Sequence, residues 1–248
     1  DNPIMKAYAD ELKNQYDKKL VDQYIDGNAV SLSGILIYYE FENLPYPNGN
    51  IDSLIHIDES LPIDLSMDFN ANPSIHGVVS QVRPNGELWV IDEIHKSGMM
   101  IPSLLNTYKE RYGIKVSRKP LTRIYGDPTG RSRDVYVAET AYSWIKRLMG
   151  ELEMPVVFKQ AKVSPFREDR YISANSAFCS GDKRHIRIHP RCTKLIRDLR
   201  SVQRNESGTV DKTQEKQGFV HISDAMTYWL HEVRPIFKQS LSGFRVKS

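Results

Sequence analysis

The sequence has little of what commits a chain to a membrane, a disulfide scaffold or a thiolate metal site. Cys179 and Cys192 are the only cysteines in 248 residues. They form no C-x-x-C pair, which excludes zinc held by paired thiolates and points to a reducing compartment. No apolar run approaches the roughly 18 residues needed to cross a bilayer, so no membrane role is expected. The opening Asp1-Asn2-Pro3 has neither the basic flank nor the apolar stretch of a signal peptide. No G-x-x-x-x-G-K-[ST] sequence occurs. The segment from Gly126 to Gly130 is followed by Arg131-Ser132 and lacks the phosphate-loop lysine, so this chain is not expected to hydrolyse ATP. No G-x-S-x-G elbow and no cysteine nucleophile setting is present, which leaves acyl transfer without support.

What is present is a globular composition, 40% hydrophobic and 26% charged, in a chain long enough for one α/β domain with a helical extension. The net charge of +3 conceals an asymmetry. Residues 1–60 hold eleven acids against four lysines, whereas residues 158–204 hold twelve bases against four acids. The second segment has the charge of a polyanion-binding surface, although solvated helix faces would give the same count.

Hydrophobic periodicity sets the order of elements. Pro3, Tyr8, Leu12, Leu20 and Tyr24 predict an N-terminal helix, and residues 29–41 a strand or hairpin, followed by a loop at Pro45, Pro47, Asn48 and Gly49. We expect a linker over residues 1–50 and the main domain over 51–248. Residues 63–69, 75–82 and 88–94 read as three antiparallel strands, the last two joined by Arg83-Pro84-Asn85-Gly86. Pro102 opens a helix that Gly113 would close with a left-handed cap. A fourth strand (122–125), a helix ending at Gly150 and a fifth strand (155–158) follow. Further helices are expected over 167–178, 193–202 and 221–233, with a short strand at 184–188 and a loop at 205–218. Three meandering strands, a helix, a strand, a helix and a strand make a mixed sheet with helices on its faces, the RNase H-like order.

Three acids fall where such a sheet carries chemistry. Asp68 closes the first strand and Asp127 follows the fourth, at the edge where α/β sheets place their ligands. If the fourth strand lies beside the first, the two carboxylates are neighbours. Asp224 stands in the first turn of the last helix and points away from the apolar stripe Ile222, Ala225, Met226, Trp229, Leu230 and Val233, toward a cleft. Each acid alone is more often a turn, cap or helix-dipole residue. Together, three oxygen-only ligands suit Mg²⁺ or Mn²⁺, and two such ions would suit phosphodiester hydrolysis. His221, one turn before Asp224, is a candidate for orienting water, moving a proton or ligating metal, or a capping partner. Glu93, near the end of the third strand, is either an outer metal ligand or an exposed strand acid. Lys162, Arg167, Lys183, Arg184, Arg187 and Arg191 are the candidate DNA contacts, with His185, Arg187 and His189 sharing a strand face expected beside the acids.

Ser66-Met67-Asp68-Phe69-Asn70, Tyr125-Gly126-Asp127-Pro128 and His221-Ile222-Ser223-Asp224-Ala225-Met226-Thr227-Tyr228 resemble the three acidic motifs of tailed-bacteriophage large terminase subunits, with matching separations of 59 and 97 residues. Asp1-Asn2-Pro3, Tyr24-Ile25-Asp26-Gly27-Asn28-Ala29-Val30 and Tyr38-Tyr39-Glu40-Phe41 resemble the end of the motor ATPase and its linker. Some family members carry Glu where Asp127 stands. The resemblance implies an RNase H-like nuclease domain from the C-terminal part of a longer polypeptide, cutting concatemeric double-stranded DNA during genome packaging. It implies partners as well: the motor ATPase domain of the same chain, the portal protein and the small terminase subunit, in the host cytoplasm at the capsid portal. Another RNase H-like DNA enzyme of the resolvase or integrase type, or a non-catalytic DNA-gripping or portal-docking module, would share the same acids.

Overall fold

The computed structural model describes residues 36–69, 74–113, 119–131, 139–159, 161–205 and 209–235. The expected N-terminal helix lies outside them. Six strands form one mixed sheet: β1 (Ile63–Asp68), β2 (His76–Val82), β3 (Leu88–Ile94), β4 (Thr122–Gly126), β5 (Val156–Phe158) and β6 (Ile186–Ile188). Their spatial order is β5-β4-β1-β2-β3-β6. β1, β2 and β3 make the expected antiparallel meander, and the turn between β2 and β3 closes through the Gly86 N–H on the Arg83 carbonyl at 2.9 Å, with Gly86 at φ +84°. β4 runs parallel to β1 and β5 parallel to β4, while β6 extends the sheet by pairing parallel with β3.

Helices cover both faces, as an α/β sheet buried on both sides requires. On one face, α1 (Ile101–Tyr112) and α2 (Ala141–Glu151) enclose a core with Ile63, Leu65, Met67 and Ile124. On the other, α3 (Arg167–Phe178), α4 (Thr193–Ser201) and α6 (His221–Val233) pack with Val78, Val90, Tyr125 and Ile186. A short α5 (Lys212–Lys216) interrupts the stretch expected to be wholly loop.

Two further expectations are corrected. Gly113 is not left-handed but has φ −97°. What the position needs is room, since a Cβ there would stand 2.9 Å from the Lys109 carbonyl oxygen. Within the segment assigned to a linker, the described residues 37–41 contribute to the core of the main domain. Ile37, Tyr38 and Phe41 are buried, and Tyr38 meets Tyr171 and Phe178 edge-on at 5.8 and 6.2 Å. Instead of a strand over 36–41 there is a single bridge, Leu36 to Gln203. Three aromatic rings bury more apolar area than a solvated connector would leave to water, and packing wins.

Strand alternation gives β1 two unlike faces. Ile63, Leu65 and Met67 enter the apolar core, while Asp64, Ser66 and Asp68 face α6 and are all buried. Buried polar groups need partners. The Ser66 hydroxyl donates to the Ala225 carbonyl. The fully buried Asp64 carboxylate accepts from Arg123 Nη2 at 2.8 Å, from Arg123 Nε and from Trp229 Nε1 at 2.8 Å. Asp64→Ala should therefore lower the unfolding free energy by about 3 kcal/mol, the low end for a broken buried pair because Arg123 keeps some access to water. Urea denaturation with an unchanged m-value measures it.

Candidate active site

β1 and β4 are in parallel register, Ser66 opposite Tyr125 and Met67 opposite Gly126, so the next rung is Asp68 beside Asp127. Asp68 closes β1 and Asp127 follows β4, so the close approach of the two strands leaves both acids at the C-terminal edge of the sheet. Both are buried, each 4% exposed. Gly126 makes the approach possible. It has φ +156°, and a Cβ there would lie 2.6 Å from the Met67 carbonyl oxygen. Asp127 is fixed by its own turn: its Oδ1 accepts the Thr129 N–H at 2.9 Å, and its carbonyl accepts the Tyr142 hydroxyl at 3.0 Å. The Tyr228 hydroxyl bonds to its side chain.

The start of α6 brings the third acid over this edge. Val220, immediately before the helix, has φ +85°, a conformation a β-branched residue adopts only at a cost of about 1–3 kcal/mol. Its N–H donates to Asp198 Oδ2 at 3.0 Å, and the Asp198 carboxylate is fully buried on α4. This anchor turns the chain so that His221 Nδ1 reaches 3.3 Å from Asp68 Oδ2 and Asp224 comes close enough to Asp68 for their charges to interact. Asp224 does not look into an open cleft. It faces α3, where Arg170 Nη1 lies 3.2 Å from Oδ1 and Arg167 Nη2 lies 3.9 Å from Oδ2. Burial pushes its carboxyl above the ordinary range, with Arg170 opposing and the Asp68 charge adding.

Sequence reading missed His76. It is the cross-strand partner of Asp68, stacks on His221 at 5.7 Å and 16°, and stacks on His95 at 6.2 Å and 24°. Burial, together with the positive charge of Lys194 and the two neighbouring rings, holds its pKa down at about 4, so it is a neutral ring at neutral pH. Arg170, Val220 and Asp198 were missed as well. Their roles come from contacts between distant segments, for which a single sequence carries no local signal.

Glu93 is neither an outer ligand nor an exposed acid. It is buried, and its carboxylate caps α4, taking the Lys194 N–H at 2.9 Å on Oε1 and the Leu195 N–H at 2.8 Å on Oε2. A helix N-terminus attracts a carboxylate in this way. The basic residues divide between the two edges of the sheet. Lys183 and Arg184 line a hollow with Asn85 and Gly86 of the β2–β3 turn, at the edge opposite the acids. Arg184 donates to Asn50 Oδ1 at 3.0 Å. Arg187 is paired with Asp52 at 3.1 Å and with Glu87, its guanidinium 3.8 Å over Tyr46. These two hold the chain's own segments, and the charged strand face expected beside the acids is not there. Arg191 borders a hollow with Asp92, Arg111 and Tyr112. Lys162 and Arg167 are exposed on the acidic side, Lys162 offering its carbonyl to Arg131 just beyond Asp127, and Arg167 beside Asp224.

Among the described residues no three His, Cys, Asp or Glu are grouped as a ready-made metal cage. Asp68 and Asp127 nonetheless fit a hard divalent cation. They present carboxylate oxygens on adjacent strand ends, and Asp68 is repelled by Asp224, a strain that a cation relieves. Mg²⁺ ordinarily binds through one or two carboxylates, with water and phosphate oxygens completing its shell.

No protein-family model and no curated protein matches the sequence. Solved structures do. The large terminase of a thermophilic bacteriophage, in complex with ATP-gamma-S, superposes with a TM-score of 0.64 and 16% identity over 92% of this chain and 52% of that one. The chain thus spans about half the length of that protein. The P22 large terminase nuclease domain superposes with a TM-score of 0.53 and 10% identity over 82% of this chain and 99% of that one. No helix among the described residues is long and apolar enough to cross a membrane. The chain has the RNase H-like fold of phage large terminase nuclease domains.

Proposed function

We propose that this chain is the nuclease part of a phage large terminase, a metal-dependent endonuclease that cuts concatemeric double-stranded DNA during packaging. The observation that supports the reading is that Asp68 and Asp127 stand at the ends of two adjacent parallel strands, with His221 3.3 Å from Asp68 and Asp224 near enough to feel its charge. By the same reading the rest of the polypeptide carries the motor ATPase, and the protein works with the portal and the small terminase subunit in the host cytoplasm.

Asp68 and Asp127 hold the cation, Mg²⁺ or Mn²⁺. When bound, it supplies Lewis acidity toward the phosphate and lowers the pKa of water. His221, its Nδ1 directed at Asp68, is oriented to hold or accept a proton at Nε2. Neutral His76 stacked behind it limits its rotation. Arg167 and Lys162 draw the DNA backbone to the acidic edge through charge alone, without reading sequence.

Asp68→Asn and Asp127→Asn should each abolish Mn²⁺-dependent nicking of supercoiled plasmid while circular dichroism stays native. The double variant should lose no more than either single one, since members of one metal site act as a unit. Nicking by folded Asp68→Asn would refute the reading.

The basic residues give a second expectation. Charge reversal at Lys162 and Arg167 should weaken DNA binding and flatten its log-log salt dependence by about 0.9 per lost phosphate contact. Arg187→Ala should instead lower the melting temperature, because it unpairs Asp52 and Glu87. Filter-binding titrations at several salt concentrations, with melting curves alongside, separate the two effects.

A further inference from the structure

Arg170 is a charge sealed inside the site. Its side chain is 3% exposed, and Nη1 donates to both Asp224 Oδ1 at 3.2 Å and Thr227 Oγ1 at 2.8 Å. Its guanidinium lies 4.1 Å over the Tyr228 ring. Asp224, Thr227 and Tyr228 all belong to α6, whereas Arg170 belongs to α3, so one turn and a half of α6 is gathered around a single cation. Its Nε has no acceptor among the described residues. A buried pair with an unsatisfied donor is a poor device for stability, and apolar residues of similar volume often serve better. What Arg170 contributes is fixed positive charge at the carboxylate that a second metal would need.

The Asp224 carboxylate is already met by Arg170 at 3.2 Å and, farther out, by Arg167 at 3.9 Å. A second divalent ion on Asp224 would face that guanidinium in a poorly screened interior, where like charges repel strongly. Resting on the metal-dependent reading above, we infer that Arg170 is a built-in cation standing in place of a second metal. The site then takes one divalent ion, held by Asp68 and Asp127, and Asp224 serves by binding Arg170 and not as a metal ligand. Arg170 is thus a charge-setting, positioning residue.

Mn²⁺ titration by calorimetry, with free Mn²⁺ counted by electron paramagnetic resonance, tests this on the chain itself. Wild type should bind one ion. Asp224→Asn should also bind one, with affinity changed by less than about threefold, well short of the roughly 10–100-fold that loss of even a supporting partner of a ligand costs. Arg170→Gln, which removes the buried partner of Asp224 and leaves only the exposed Arg167, should bind two. Arg170→Lys should restore one. Two ions in wild type, or loss of the ion in folded Asp224→Asn, overturns the inference while leaving a metal-dependent nuclease standing. Absence of Mn²⁺ binding in wild type overturns the metal reading itself. Should Arg170→Gln fail to fold by circular dichroism, the wild-type count and Asp224→Asn decide between one ion and two.

Discussion

The buried carboxylate of Asp64 holds the molecule's working parts in relation to one another. It sits on β1, binds Arg123 of β4 and accepts the indole N–H of Trp229 on α6. One side chain thereby ties together the two strands that end in Asp68 and Asp127 and the helix that begins with His221 and Asp224. Helix and sheet could otherwise slide, because the apolar contacts between them are non-directional. A charge-assisted hydrogen bond fixes the register in a way that burial does not. Burial raises the carboxyl's pKa, and hydrogen bonds from Arg123, Trp229 and Tyr125 oppose that rise.

The sheet was legible because period-two alternation and turn chemistry are local. The strands over 63–68, 76–82 and 88–94 and the turn at 83–86 follow from patterns spanning a few residues, and the placement of β4 beside β1 follows from the order meander, helix, strand. So does the position of Asp68 and Asp127, since a strand end in a parallel pair dictates its neighbour. The segment at 37–41 was not legible. Its Ile, Tyr and Phe fit a strand, and only the rings of Tyr171 and Phe178, far along the chain, make it core. Arg184 and Arg187 were misplaced for a related reason. A run of bases reads as a surface until its partners are seen to lie against it, Asp52 and Glu87 on Arg187 and Asn50 on Arg184.

Asp224 shows where helical phase stops informing. Phase placed it off the apolar stripe, and that much holds. What lies opposite that face depends on α3, and α3 brings Arg170. The acid is consequently neither a surface residue nor an open ligand but half of a buried pair. Its neighbour His221 is placed by something equally remote, the Asp198 carboxylate that receives the N–H of Val220.

Strain and buried charge therefore collect at one edge of the sheet. Val220 is held at positive φ, His76 is a neutral ring between two others, Arg170 has no acceptor for its Nε among the described residues, and the Asp68 and Asp224 charges oppose each other. None of these is what stability alone would select. A fold tolerates such features where the rest of the structure over-determines the geometry. Here that is the combined hold of Asp64, Asp198 and the α4 cap at Glu93. Each of these supporting carboxylates is hydrogen-bonded to a neighbouring element, so the edge they support can remain electrostatically uneven.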